Sequence, residues 1–219
     1  MMQYQQLKQK HRERREFSAP ELSLRIHRSL SWLNKAEQVE DDLDARFIFL
    51  WIAFNAAYAV DVEEQYRTTE KGMFEQFFHK LVELDQHKRL YYLVWKEFPG
   101  AIRALLNNQY IFQPFWDYHN NRLEKEQWET RFKHSKKRAS QALAAQDTTH
   151  ILSIIFRRIY TLRNQIMHGG STWNSQANRA QLKDCVSLLD KIIPTILDLM
   201  LEHDKNEWGE PFYPFIKEG

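Results

Sequence analysis

Residues 148–170, TTHILSIIFRRIYTLRNQIMHGG, carry the helical pattern from which the fold can be worked out. Apolar residues recur there at intervals of three or four positions: Ile151, Ile155, Ile159, Leu162 and Ile166. This spacing places them on one face of an α-helix. Glycine adopts the left-handed conformation that commonly ends helices, so Gly169 and Gly170 predict a helix end just before them. We therefore expect a helix from Thr148 to Met167.

The rest of the chain shows the same periodicity. A capping-box pattern at residues 18–21 predicts the start of a helix whose apolar residues follow at helical spacing. Residues 47–60, FIFLWIAFNAAYAV, are apolar on every side except at Asn55, which is typical of a central buried helix. A last helix is expected at about residues 177–202. Strand-like alternation of apolar and polar residues is absent, so we predict an all-α helical bundle.

Composition indicates a folded, soluble protein. Of 219 residues, 43% are hydrophobic and 27% charged, with only 6 Gly and 6 Pro, unlike a disordered chain. The single cysteine, Cys185, cannot form an internal disulfide. No apolar run approaches the roughly 20 residues needed to cross a membrane, and residues 1–16 lack the apolar segment of a secretory signal. We expect a cytoplasmic protein without membrane contact, with a basic extension at residues 1–17 and a single helical domain at residues 18–219.

The charges are unevenly distributed, although the net charge is only +2. Residues 130–183 contain a single acidic residue, Asp147, and ten basic ones: Arg131, Lys133, Lys136, Lys137, Arg138, Arg157, Arg158, Arg163, Arg179 and Lys183. Such an asymmetry predicts a local positive field, and polyanions such as RNA are common partners of such fields. The alternative is a solvated basic helix face without a partner.

Several common kinds of chemistry lack their motifs. Gly169 and Gly170 end a helix rather than begin one, so they do not form a phosphate-binding loop. The nine histidines show no HExxH pattern and no pairing with cysteine at metal-ligand spacing, and no GxSxG motif is present. We therefore expect neither a metal nor a cofactor.

One pair of residues, Arg163 and His168, suits metal-independent RNA cleavage. A guanidinium can neutralise the charge that develops on a phosphate, and an imidazole can transfer protons near neutral pH. On a regular helix, five positions at about 100° each put the two side chains about 140° apart, so they would not share a face. We therefore expect His168 to leave the helical path, which the two glycines allow. A two-fold dimer that packs this helix end against its mate can in addition bring two Arg and two His to one cleft.

These residues resemble a known family. TLRNQIMHGG is similar to the Arg-x4-6-His signature of HEPN domains. The wider chain, from about Pro20 to Pro214, resembles the bacterial Apea-like HEPN group. The segments that carry this resemblance are SLSWLNKAEQ, FIFLWIAFNAAYA, YIFQPFW, GGSTWNSQANR and WGEPFYP.

The resemblance implies a bundle of up-down core helices with additional peripheral helices, assembled as a homodimer. It further implies a metal-independent endoribonuclease acting in a toxin, phage-defence or stress-response role, with an antitoxin or regulatory protein as a possible partner. In this family's pattern Arg163 and His168 are the catalytic residues, and Asn164 orients them. Related toxins often carry a tyrosine two residues after the histidine, where this chain has Gly170. A non-catalytic adaptor of the same fold, binding RNA or protein, is the alternative function.

Further residues are candidates for RNA binding because they are cationic, aromatic or amide side chains in the basic half of the chain. They are Arg158, Arg179, Lys133, Lys136, Lys137, Arg138, Trp173 and Asn178. Each has a structural alternative. Trp173 can pack beneath the last helix, Asn174 or Ser175 can cap it, and Asn55 is either a residue that supports the site or a buried amide. Arg163 can form a structural ion pair, and His168 can cap the negative end of its helix.

Overall fold

A computed structural model describes residues 3–59, 70–177, 179–205, 208–211 and 213. Every element of regular secondary structure in these ranges is helical, which confirms the all-α prediction. The helices are α1 Gln3–Arg14, α2 Pro20–Glu37, α3 Leu43–Tyr58, α4 Glu70–Leu84, α5 Arg89–Tyr92, α6 Pro99–Asn107, α7 Gln113–His119, α8 Lys125–Ala144, α9 Thr148–Met167 and α10 Arg179–Glu202. A π-helical turn, Leu93–Glu97, continues α5. No described helix has the length and apolar character required to span a membrane.

The chain divides into two compact units. The first unit comprises residues 1–69 and 189–219, and the second comprises residues 70–188. Helix α10 contributes residues to both. The division of the chain into a basic extension and a single domain at residues 18–219 stays a prediction.

The first unit is built around α2 and α3. Asp42 caps α3 by accepting a hydrogen bond from the backbone N–H of Ala45 at 3.0 Å. The apolar segment predicted as a central helix lies within α3, where Phe47 and Phe54 are fully buried, whereas Val60 lies outside the described residues. Asn55 is half-buried on this helix.

The predicted capping box at the start of α2 is wrong. The N-cap residue is Ala19, and no side chain caps the helix. The hydroxyl of Ser18 instead donates to the carbonyl of Arg14, at 3.0 Å, and so satisfies the end of α1. Pro20 in the first turn needs no hydrogen bond for its nitrogen, which reduces what a cap would contribute.

A buried arginine on α2 forms hydrogen bonds to two other segments of the first unit. The guanidinium of Arg25 donates to the carbonyl oxygens of Ala57 at 3.0 Å, Gly209 at 3.2 Å and Glu210 at 2.6 Å. Burial lowers its pKa to about 10. Three carbonyl oxygens therefore replace the water that this charge loses.

The expected N-terminal extension includes a helix that packs within the first unit. Tyr4, Leu7 and His11 of α1 are buried. The ammonium of Lys10 lies 3.1 Å from a carboxylate oxygen of Glu202 and also pairs with Asp198. The buried apolar side of α1 and the ion pairs of Lys10 therefore both bind this helix to the first unit.

Helix α9 forms the core of the second unit. Its bounds, Thr148–Met167, confirm the sequence prediction. Asp147 caps its first turn by accepting from the backbone N–H of His150 at 2.9 Å. The ring of Phe156 packs against that of Phe78 on α4, with centroids 4.7 Å apart. Burial extends well beyond the predicted stripe to Leu152, Ile154 and Phe156, because several helices surround α9.

The burial of His11 predicts a pH-dependent stability. Desolvation, together with the positive charges of His27 and Arg15, lowers its pKa from the usual 6.5. The unfolded chain then binds the proton more readily than the folded one, so the free energy of unfolding should fall as pH drops below about 6.5. His11→Gln should weaken this dependence in urea unfolding between about pH 5 and 8. His134→Gln, at an exposed position on α8, is the control; parallel pH profiles for all three proteins would contradict the prediction.

Candidate functional site

The C-terminus of α9 ends in a complete Schellman motif. Gly169 adopts a left-handed conformation with φ of 71°. Its N–H donates to the carbonyl of Ile166 at 3.1 Å, and the N–H of Gly170 donates to the carbonyl of Gln165 at 2.7 Å. These two bonds satisfy carbonyl groups that the helix would otherwise leave free. The position of His168, immediately before them, is therefore fixed by backbone geometry.

Gly170 has no room for a side chain. A Cβ atom at this position would lie 2.9 Å from the carbonyl oxygen of Gln165, which is backbone and cannot rotate away. A tyrosine at this position, as in the toxins that the sequence resembles, would therefore not fit this backbone.

Arg163 and His168 occupy different environments. Arg163 is half-buried, and its Nη1 atom donates to Oδ1 of Asn164 at 2.9 Å. His168 is exposed at the C-cap, with φ of −96°, and its backbone N–H donates to the carbonyl of Asn164 at 3.0 Å. Asn164 thus contacts Arg163 through its side chain and His168 through its backbone.

Within the described residues the two candidate catalytic side chains are not joined to each other. No hydrogen bond links Arg163 to His168, and no carboxylate among the described residues lies within ion-pair distance of Arg163. The alternative in which Arg163 forms a structural ion pair is therefore not observed in this part of the chain. His168 caps the helix through its backbone and leaves its imidazole exposed to solvent.

Gln165, between these two residues, attaches the end of α9 to the segment before α7. Its Nε2 atom donates to the carbonyl oxygen of Tyr110 at 2.5 Å. The indole N–H of Trp116 donates to the same oxygen at 2.7 Å. The sequence analysis missed this contact. No local signal reveals it, because Gln165 and Tyr110 are 55 residues apart and the acceptor is a backbone atom.

Arg158 is buried, with 2% of its surface exposed. Its guanidinium carbon lies 4.3 Å from the ring centroid of Phe112 and 5.5 Å from that of Phe132, and Nη2 donates to Ser135 at 3.1 Å. Burial and the neighbouring charge of Arg157 lower its pKa to about 9. The expectation that Arg158 contacts RNA directly does not match this placement, because its charge faces aromatic rings beneath the surface.

The other RNA-binding candidates differ in exposure. Four basic residues of α8 are exposed: Lys133, Lys136, Lys137 and Arg138. Trp173 is 73% exposed, so it is not packed beneath the last helix. Arg179 is half-buried and donates from Nε to the carbonyl of Ser175 at 3.2 Å. Asn178 lies outside the described residues.

A series of contacts connects the basic face of α8 with the end of α9. The ammonium of Lys136 lies 5.8 Å from the ring centroid of Phe132, and that ring packs against Phe112 at 5.2 Å. Phe112 follows Tyr110 by two residues, and the Tyr110 carbonyl binds Gln165. Exposed cations, aromatic rings and the Arg163–His168 segment therefore belong to one continuous part of the second unit.

The described residues contain no group of three or more His, Cys, Asp or Glu side chains arranged to hold a metal ion. The thiol of Cys185 is buried, and burial raises its pKa well above the usual range. Comparisons with protein-family profiles, with curated proteins and with solved structures found no match to this chain.

The close approach at Gly170 predicts a specific sensitivity to substitution. Gly170→Ala should lower the free energy of unfolding by about 1–3 kcal/mol, since the new Cβ forces the carbonyl of Gln165 to move. Gly100→Ala is the matched control because a Cβ there meets nothing within 4 Å. Urea unfolding compares the two variants with the wild type. Equal free energies of unfolding for the two variants would contradict the prediction, because they would show that the carbonyl of Gln165 moves without loss of stability.

Proposed function

We propose that this chain is a metal-independent endoribonuclease of the HEPN type. The observation that carries the proposal is the exposed imidazole of His168 at a rigid helix end, five residues after a guanidinium that Asn164 holds in place. The exposed cations of α8 support it because they can bind the phosphates of RNA on the same part of the unit. A cytoplasmic location and a role as a toxin or in phage defence or stress response are parts of the same proposal.

The residues have complementary roles in the proposed reaction. The imidazole of His168 removes the proton from a 2′-hydroxyl, and the 2′-oxygen attacks the adjacent phosphorus. The guanidinium of Arg163 neutralises the charge that builds up on the phosphate oxygens. The bond from phosphorus to the 5′-oxygen breaks, and an imidazolium donates a proton to the departing oxygen. The products are a 2′,3′-cyclic phosphate and a 5′-hydroxyl, and no metal is needed to balance the step.

A two-fold homodimer would complete this site. One chain does not join Arg163 to His168, and an isologous contact at this helix end would bring a second pair of these side chains to the same cleft. Met167, adjacent to His168, is 51% exposed although it is apolar. Half-buried Ile166 precedes it. These two residues give the proposed interface its apolar centre, and an antitoxin or regulatory protein would be a further partner.

The separation of Arg163 from His168 also favours a second candidate, a non-catalytic adaptor that binds RNA or protein. In that case the basic face of α8 binds the ligand, and the end of α9 serves only to cap the helix. The ribonuclease cleaves RNA and needs His168 to do so, whereas the adaptor only binds RNA or protein.

Replacing the imidazole tests the proposed chemistry. His168→Ala should lower the rate of RNA cleavage about 10²- to 10⁴-fold, with EDTA present, because general acid-base catalysis is lost. RNA binding should remain, since the exposed cations are unchanged. His134→Ala removes an exposed histidine from α8 and should leave cleavage at the wild-type rate. Cleavage by the His168 variant at the wild-type rate would refute the proposed role of His168. RNA binding with no cleavage by any of the three proteins would favour the adaptor.

Disrupting the proposed interface tests the assembly. Met167→Glu should convert the dimer into a monomer and reduce cleavage together, because an unpaired carboxylate is costly to bury. Tyr92→Glu introduces the same charge at another exposed apolar residue of the second unit and should change neither property. Light scattering and cleavage are measured on the same samples. A fully active wild-type monomer would refute the composite site.

A further inference from the structure

A cavity of about 200 Å³ lies beside the π-helical turn that continues α5. Its apolar lining includes Trp95, Pro99 and Leu143, which are half-buried and therefore accessible to a ligand. Two further lining residues, Val94 and Ile102, are each 1% exposed and belong to the core of the second unit. At about 30 Å³ for each water-sized group, the cavity has room for about seven such groups, which is the size of a small organic molecule.

The backbone around the cavity departs from regular structure in two places. The N–H of Phe98 donates to the carbonyl of Leu93 at 2.9 Å, a bond that spans five residues and widens the helix. Gln146, also in the lining, has a left-handed φ of 52° because it ends α8 in a Schellman turn, in which the N–H of Asp147 donates to the carbonyl of Ala142 at 2.9 Å. π-Helical turns recur at functional sites.

Two cations at the rim give the cavity its charge. Lys96 and Arg103 line it, and both are exposed. Neither forms an ion pair with any carboxylate in the described part of the chain. No acidic side chain is among the lining residues that the structure describes. The cavity therefore combines an apolar interior with a positive rim.

We infer that this cavity binds a small organic carboxylate, with its apolar body against Pro99 and Leu143 and its carboxylate between Lys96 and Arg103. Inorganic phosphate has no apolar part to occupy the interior, and a neutral compound cannot pair with the two cations. Either kind of ligand would bind less tightly.

This site is separate from the end of α9 and does not depend on the proposed ribonuclease function. Trp95, in the cavity lining, donates its indole N–H to the hydroxyl of Thr148 at 3.0 Å. Thr148 begins α9, and Met167 ends it. At about 1.5 Å per residue, the 20-residue helix puts roughly 30 Å between the cavity and His168.

Benzoate and benzamide test the inference because they have the same number of non-hydrogen atoms and differ in charge. Ligand-observed NMR titrations of the full chain measure both, with inorganic phosphate as a third probe. Benzoate should bind with a dissociation constant near or below about 1 mM, at least tenfold more tightly than benzamide or phosphate. Equal binding of benzoate and benzamide, tighter binding of phosphate, or no saturable binding of benzoate would each overturn the inference.

Variants locate the binding. Arg103→Gln should reduce benzoate affinity toward that of benzamide, with Lys96 still present, and leave benzamide binding unchanged. Arg131→Gln removes an exposed cation from α8 outside the cavity and should have no effect. Both substitutions are at exposed positions, so folding is preserved and is checked by circular dichroism. If the two variants reduce benzoate binding equally, the ligand responds to overall charge and not to this cavity.

Discussion

The carbonyl oxygen of Gln165 is the point on which the geometry of the candidate site depends. It accepts the N–H of Gly170 at 2.7 Å and leaves no space for a Cβ atom there. That bond reverses the chain direction immediately after His168, while the side chain of the same glutamine binds the carbonyl of Tyr110. One residue therefore fixes the helix end through its backbone and anchors that end to a distant segment through its side chain.

Two buried arginines show how differently a fold can accommodate the same charge. Arg25 is surrounded by three carbonyl oxygens and thereby connects α2 to α3 and to residues 209–210. Arg158 instead lies over two aromatic rings with one hydroxyl partner, so its charge is less well compensated. Its pKa is the lower of the two, about 9 against about 10, because burial acts on it together with the neighbouring charge of Arg157. The charge of Arg158 adds to the positive field of the exposed lysines of α8, because a buried charge is poorly screened by water.

Helix α9 relates the two proposed sites of the second unit without merging them. Its first residue, Thr148, contacts the wall of the cavity, and its last residue precedes His168. Its middle is buried among several helices, which makes it a rigid element on which both ends can be positioned. Rigid scaffolds of this kind allow exposed side chains at helix ends and loops to bind ligands without loss of stability.

The sequence by itself determined helix α9 and the all-α class, because helical periodicity and glycine stops act over a few residues. The bounds of α9, its end at Gly169 and Gly170, and the all-α class all followed from such local signals. The pairing of Arg163 with Asn164 involves neighbouring residues, and the expected orienting role of Asn164 rested on the family resemblance. Tertiary structure alone decided which basic residues face solvent, since burial depends on what packs against them. It placed Arg158 against Phe112 and Phe132, bound Ser18 to α1 instead of α2, and made the N-terminal helix part of the first unit. The Gln165–Tyr110 contact and the cavity beside the π-helical turn join residues about 50 positions apart, and only the packing of the folded chain could bring those residues together.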